Sequence, residues 1–288
     1  MRIVPIALAA IALSTPPAHA LSKTWQQKWD VAGRPEVRVV ADDAHVTVHA
    51  GASGVVSARV DHELRTWGFT GGGPAHPDVR FERSGNTIVV TVKEHSRYFV
   101  IGGSYEKLSV EVTVPIETDL AVRTGDGAVD CDPVNGQIRL ETGDGAIRTH
   151  GLSGNLWLST GDGSVLAEGL DGTLRARSGD GRLTVSGRFD RLDIGTGDGR
   201  IDATARKGSQ VGEAWNVESG DGSLTLRIPR DLKAFLDAST RDGRIHVDLP
   251  ISVRGDLSQR ELSGELNGGG RALRLRTADG PITLALAD

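Results

Sequence analysis

Thr124-Gly125-Asp126-Gly127 returns as Thr142-Gly143-Asp144-Gly145, Thr160-Gly161-Asp162-Gly163, Ser178-Gly179-Asp180-Gly181 and Thr196-Gly197-Asp198-Gly199. The aspartates Asp126, Asp144, Asp162, Asp180 and Asp198 keep one constant interval at every step, and looser copies surround Asp221, Asp242 and Asp279. A short fixed period is the signature of a solenoid, in which each repeat is one supersecondary unit stacked on its neighbours.

The flanks of the tetrapeptide say what each unit is. In Asn155-Leu156-Trp157-Leu158-Ser159-Thr160 and again in Ser164-Val165-Leu166-Ala167-Glu168, apolar and polar residues alternate, which is strand periodicity. Aligning the repeats gives three apolar columns: Leu120, Ile138, Leu156, Leu174 and Leu192; Val122, Leu140, Leu158, Ala176 and Ile194; and Val129, Ile147, Val165, Leu183 and Ile201. These are expected to point inward, each fully buried Leu or Ile contributing on the order of 1.5–3 kcal/mol. The column Arg139, Trp157, Arg175, Asp193 is expected to face outward. A second corner is marked by one apolar residue among turn formers, as in Gly151-Leu152-Ser153-Gly154 and Gly169-Leu170-Asp171-Gly172. A left-handed hexapeptide helix also closes with a coil of this length, but its apolar positions, counted on from Leu156, would fall on Asp162 and Glu168, which rejects it. The sequence therefore predicts an all-β, single-stranded parallel β-helix of about 18 residues per rung.

Outside residues 117–205 the pattern loosens. Five extra residues near Arg206-Lys207-Gly208-Ser209-Gln210, and the stretch 250–270, read as surface excursions before a last rung of Leu273, Leu275, Thr277, Ile282 and Leu284. Toward the N-terminus, Val37, Val39 and Ala41 lead through Asp42-Asp43-Ala44 to Val46 and Val48, a degenerate strand-turn-strand. Met1-Arg2-Ile3 and the apolar run to Leu13, followed by Ala18-His19-Ala20, have the form of a secretory signal peptide cleaved before Leu21. No cysteine stands near the cut to carry a lipid. The expected organisation is signal peptide over 1–20, irregular β rungs and a cap over 21–115, and the regular solenoid over 116–288. No other apolar run approaches the roughly 20 residues of a membrane helix. The short segment after Asp279 leaves no room for a C-terminal membrane barrel, so an exported, most simply periplasmic, protein is expected.

A net charge of −5 without a basic run argues against nucleic acid as a partner. Cys131, the single cysteine, has no internal partner and falls in an inward column with Thr149, Ala167 and Val185.

The repeated strand-T-G-D-G-strand units, closing with Leu266-Asn267-Gly268-Gly269-Gly270 and Leu273-Arg274-Leu275-Arg276-Thr277-Ala278-Asp279-Gly280-Pro281-Ile282, resemble the bacterial "putative adhesin" family of β-strand-repeat proteins over about residues 37–286. The resemblance implies a right-handed, mostly parallel β-helix of the cell envelope and no enzyme activity. Arg241-Asp242-Gly243 and Ala278-Asp279-Gly280 depart from the motif by losing its first glycine, which puts the geometry of those turns in question.

Three features are candidates for chemistry. Stacked rungs bring the turn aspartates to about 4.8 Å spacing, where like charges repel. One reading is an Asx-turn, with the carboxylate accepting backbone N–H groups and glycine at positive φ. The other is a bound calcium ion, although the Gly-Asp calcium repeats carry a fuller motif at both corners. The Arg139, Trp157, Arg175 column is either a sugar-stacking platform or a cation–π stack that covers the ring. Trp67, Phe69, Tyr98 and Tyr105 lie in Gly-rich stretches expected to be loops, which either plug the open end of the solenoid or form a binding surface for envelope glycan or protein. No cofactor is implied. An alternative enzyme reading, a polysaccharide lyase or hydrolase, has only Asp61, Glu63, Asp78, Glu82, Glu94 and Glu106 near those loops, in no recognised spacing.

Overall fold

The computed structural model describes residues 19–72, 76–94, 98–253 and 258–287. Residues 1–18, most of the expected signal peptide, lie outside the described residues; the strand His19–Asp30 runs across the expected cleavage point. The described residues are all-β, with 23 strands joined in one sheet and no helix.

The centre is built as the repeat dictates. Asn135–Thr142 pairs in parallel with Asp119–Arg123 on one side and Ser153–Thr160 on the other, placing Ile138 opposite Leu120 and Leu156. Beyond the T-G-D-G corner, Ile147–His150 lies in parallel between Val129–Cys131 and Val165–Ser178. Partners stand one repeat apart, and all three apolar columns are buried. Val134, Leu152 and Leu170 of the second corner are buried too. Val165–Ser178 and Leu183–Thr196 pass that corner as continuous strands, with register shifts between Ala167 and Leu170 and between Gly172 and Thr173. The excursion at 206–210 is partly structural: buried Ser209 accepts from Phe189 N–H at 3.0 Å, and Phe189 meets Trp215 edge-on at 6.4 Å.

At both ends the rungs leave sequence order. Glu36–Ala41 lies between Thr87–Lys93 and Asp119–Arg123, and His45–Gly51 between Tyr98–Pro115 and Val129–Cys131. At the other end, Ala272–Thr277 lies between Trp215–Ser219 and Ala234–Thr240, and Ile282–Leu286 between Leu224–Ile228 and Ile245–Asp248. The expectation that Leu273 to Leu284 form the last rung is therefore corrected: they are second from the end. Periodicity reports which residues face inward, not which rung neighbours which, so it carries no trace of this crossing.

Antiparallel strands cover the ends, as unpaired sheet edges require. Val55–Gly72 pairs with Tyr98–Pro115 and carries His19–Asp30 on its other side, while Asp78–Ser84 pairs with Thr87–Lys93. Trp29 and Phe81 meet at 5.9 Å across these two covers. At the opposite end Glu261–Leu266 pairs antiparallel with Ala234–Thr240, so part of the expected 250–270 excursion is a cap. The aromatic Gly-rich stretches are likewise corrected from loops to strands, running through residues 67–72 and 98–103, which pair with each other. Residues 73–75 and 95–97 lie outside the described residues.

Candidate functional site

The T-G-D-G corner is the best-defined local geometry, and it differs from an Asx-turn. The aspartates reach across to the following rung. Asp43 Oδ1 accepts from Asp126 N–H at 3.0 Å, Asp126 Oδ1 from Asp144 N–H at 3.3 Å, Asp144 Oδ1 from Asp162 N–H at 3.4 Å, and Asp180 Oδ1 from Asp198 N–H at 3.3 Å. The motif glycines are not at positive φ. They are needed because adjacent rungs nearly touch. A β-carbon on Gly145, Gly163, Gly181 or Gly199 would overlap the carbonyl oxygen of Gly127, Gly145, Gly163 or Gly181 respectively. The motif threonine closes the corner: Thr142 Oγ1 lies 2.8 Å from Gly125 O and 2.7 Å from Gly127 O, and Thr160 Oγ1 stands likewise to Gly143 O and Gly145 O.

The two departures from the motif keep this geometry. Arg241 and Ala278 replace the first glycine, and Arg241 N–H still donates to Ala278 O at 2.7 Å, as does Ala278 N–H to Gly220 O. Around the first glycine the contacts are looser, with Asp144 Oδ1 and Gly143 O each 2.7 Å from a β-carbon on Gly161. The ladder runs through Asp198, Asp221, Asp279 and Asp242 in space. At its end Arg241 approaches Asp279 at 3.5 Å and Arg260 approaches Asp242 at 3.6 Å. The carboxylates are exposed, so water screens their repulsion. Among the described residues no three His, Cys, Asp or Glu side chains converge to hold a metal.

Arg139, Trp157 and Arg175 are brought together in register, and each guanidinium stacks on the indole, 4.7 Å and 5.2 Å from its centroid. Because they come from the rungs on either side, both faces of Trp157 are occupied. This is the covering stack and not a free sugar platform. Arg139 also donates to Glu141, and Arg175 and Arg177 both donate to Asp193. Asp193, in the column expected to face outward, is buried beneath these arginines. Its burial works to raise its carboxyl, but the hydrogen bonds from Arg177 and Arg175 outweigh that and hold it below the ordinary range. Beside the stack, Gln137, Asn155 and Thr173 form a hydrogen-bonded ladder, and together the two columns line a shallow depression of about 570 Å³.

The third feature lies on the paired strands Val55–Gly72 and Tyr98–Pro115. Their register places Arg65 opposite Tyr105, Trp67 opposite Gly103, Phe69 opposite Ile101 and Gly71 opposite Phe99. Trp67, Phe69, Phe99, Ile101 and Tyr105 therefore lie on one two-stranded ribbon. All five are exposed, at 51%, 62%, 54%, 67% and 51%, while among the other large apolar side chains of the described residues only Leu21 and Ile116 are more than half exposed. The Trp67 ring lies on Gly103, where a β-carbon would overlap Cζ2 and Cε2, and the Phe99 ring lies on Gly71, its Cζ 2.8 Å from such a carbon. Phe69 and Phe99 meet at 6.0 Å, tilted by 44°. Gly68 and Gly102, paired at φ 103 and 143, interrupt the pleat beside them. Trp67, Phe69 and Tyr105 are thus exposed on one ribbon. Tyr98 opens its strand opposite Gly72, and its side chain lies outside the described part. Phe99 and Ile101 were missed as candidates; strand alternation with Trp67 and Phe69 was the signal that could have found them.

At the base of this ribbon, buried His62 lies with Nε2 2.8 Å from Glu106 Oε1. Glu94 sits close by, its carboxyl raised by burial and by the negative charges of Glu106, Asp43 and Asp42. Of the other acids of the region, Asp61 is held by Arg59, Glu63 by Arg65 and Asp78 by Arg80. Cys131 is buried, its thiol pushed up to about 12 by desolvation and by Asp132.

The model of the Toastrack DUF4097 family matches residues 45–285. A crystal structure described as a putative lipid binding protein from Parabacteroides distasonis ATCC 8503 is similar at 13% identity and a TM-score of 0.50, over 92% of this chain and 97% of that one. A putative adhesin from Bacteroides fragilis NCTC 9343 is similar at 10% identity and a TM-score of 0.35, over 92% and 97%. A putative cell adhesion protein from Clostridium sporogenes ATCC 15579 is similar at 8% identity and a TM-score of 0.30, over 92% and 100%. At these identities the likeness concerns the fold. None of the curated proteins is a match.

Proposed function

The chain belongs to this Toastrack, adhesin-like family, and from that premise we propose that it is an exported, non-enzymatic binding module or scaffold of the cell envelope, periplasmic after removal of residues 1–20. We take the coil to be right-handed with about 18 residues per rung, in keeping with the parallel register and with the strong general preference for right-handed parallel crossovers.

One observation carries the reading: five exposed apolar side chains, Trp67, Phe69, Phe99, Ile101 and Tyr105, gathered on one two-stranded ribbon, where Trp29, Phe189 and Trp215 are buried. Exposed apolar side chains gathered on one element are the kind of feature that marks an interaction surface. The solenoid supplies a rigid support, and the mechanism is contact through that face with an envelope glycan or protein, without nucleic acid. Co-sedimentation of residues 21–288 with purified peptidoglycan and with outer-membrane vesicles tests it. Saturable binding to one fraction, weakened by Trp67→Ala or Phe69→Ala, is expected; binding to neither counts against the module.

A polysaccharide-acting enzyme has one observation in its favour, the raised carboxyl of Glu94 beside Glu106 and His62. Release of reducing or unsaturated sugar ends that Glu94→Gln abolishes would replace the binding-module reading. Calcium-supported structure is the third reading, and a melting temperature that rises by several degrees with calcium would establish it.

A further inference from the structure

We propose that the depression beside the Arg139, Trp157 and Arg175 stack binds a short extended peptide with free termini, laid along the solenoid axis. It is a second site, separate from the ribbon. Strand register makes one outward column of Glu36, Asp119, Gln137, Asn155, Thr173 and Arg191. Along the axis this column runs from two carboxylates, through three uncharged hydrogen-bonding side chains, to a guanidinium. Ala121, Arg139, Trp157 and Arg175 form the column beside it, and Leu120, Ile138, Leu156 and Leu174 line the floor between the two. The trough thus has a negative end, a polar middle and a positive end, which is the polarity that a free amine and a free carboxylate at the two ends of one chain would match.

The groups at both ends keep capacity for a ligand. Glu36 is taken up by Arg38, but Asp119 accepts from Gln137 N–H through Oδ1 and has Arg34 only at 3.9 Å. At the other end Arg175 and Arg177 share the single carboxylate of Asp193, which leaves positive charge in excess. Arg191 meets Glu213 at 2.8 Å in an exposed pair, and such pairs are weak. In the middle, Thr173 donates to Asn155 Oδ1 and Asn155 Nδ2 donates to Gln137 Oε1. Each carboxamide still has an N–H and an oxygen lone pair to offer, the complement of a peptide C=O and N–H. Beside them the indole N–H of Trp157 is buried and has no acceptor, a donor of the kind that native structures satisfy. A peptide carbonyl supplies that acceptor once a flanking guanidinium swings from the ring onto the ligand carboxylate. Rungs about 4.8 Å apart put Asp119 and Arg191 about 19 Å from each other, the span of about six extended residues at about 3.3 Å each.

Isothermal titration of the protein with hexa-alanine carrying free ends tests the proposal, alongside N-acetyl-hexa-alanine amide and trialanine. Hexa-alanine is expected to bind, and the blocked and the short peptide to bind at least tenfold more weakly. Asp119→Asn removes the charge but keeps an acceptor for Gln137 N–H, and Arg191→Gln removes the guanidinium. Each is expected to weaken hexa-alanine at least tenfold with an unchanged melting profile, and Trp67→Ala to leave it unchanged. No binding of hexa-alanine overturns the proposal, as does binding indifferent to blocked ends or to both substitutions. Binding lost in Trp67→Ala moves the ligand to the ribbon and overturns it as well. If hexa-alanine fails to bind but the protein still sediments with peptidoglycan or vesicles in a Trp67-dependent way, the peptide site fails and the binding-module reading stands.

Discussion

Thr160 Oγ1 donates to the carbonyl oxygen of Gly145, 2.9 Å away in the preceding rung, and a β-carbon on Gly163 would overlap that same oxygen. The second glycine of each motif is thus fixed by a steric contact with its counterpart in the adjacent rung. The first glycine has more room, and Arg241 and Ala278 occupy it in two corners. Gly163→Ala is therefore expected to lower stability more than Gly161→Ala, by about 1–3 kcal/mol, the usual cost of overpacking. Thermal melts of the two variants decide it; equal losses would count against a contact-based role for the second glycine.

The hydroxyl is the other half of the corner. Thr160 is buried, and besides its two carbonyl partners it accepts from Gly163 N–H at 3.1 Å. Thr160→Val keeps the shape and removes these bonds, so a loss of about 1–3 kcal/mol is expected for the unsatisfied groups. Thr160→Ser, like Ser178 in the next rung, is expected to retain most of the stability in urea denaturation.

These corners show what sequence can report. The inward columns are legible because a two-residue alternation carries facing directly, and Ile138, Leu156 and Leu174 are paired as the repeat places them. The role of the glycines is not legible, because a glycine retained for close approach and one retained for positive φ look alike in sequence. The ribbon is hidden for a related reason: Gly68, Gly71, Gly102 and Gly103 suggest loops. Two of them lie beneath rings and two sit at a break in the pleat, which only the pairing of the strands discloses.

Glu94 gives a pH dependence with a definite sign. Glu94 is solvent-exposed, but partial desolvation of its carboxyl, then Glu106, Asp43 and Asp42, raise it from the ordinary 4.5, with His62 opposing. A carboxyl raised in the folded state holds its proton more tightly there, so its contribution to stability is lost as pH rises through that raised value. Glu94→Gln is expected to melt higher than the parent at pH 7, with the difference vanishing below about pH 4.5, the unperturbed range. Melting curves from pH 4 to 8 check it, and a lower melting temperature for the variant at pH 7 would contradict the assignment.

Cys131 should be chemically silent in the folded protein. With its thiol pushed up to about 12 and its side chain buried, almost no thiolate exists at pH 8. Reaction with a disulfide reagent is expected to be negligible in buffer and complete within minutes in denaturant. Rapid labelling under native conditions would mean that the rung containing Cys131 opens.

The crossed rung order makes the strongest claim about assembly. Ala272–Thr277 and Ile282–Leu286 separate the rung of Trp215–Ser219 and Leu224–Ile228 from that of Ala234–Thr240 and Ile245–Asp248. Were rungs stacked in sequence order, deleting residues 272–288 would trim an end and leave 234–248 paired with 215–228. In the crossed order the deletion removes the parallel partner of both. Amide exchange in the deleted chain is therefore expected to lose protection over 234–248 and along the exposed edge at 215–228. The rungs from Asp119–Arg123 to Leu183–Thr196 are expected to stay protected, because their partners are intact. Protection of 234–248 equal to that of the full chain would be incompatible with the crossing.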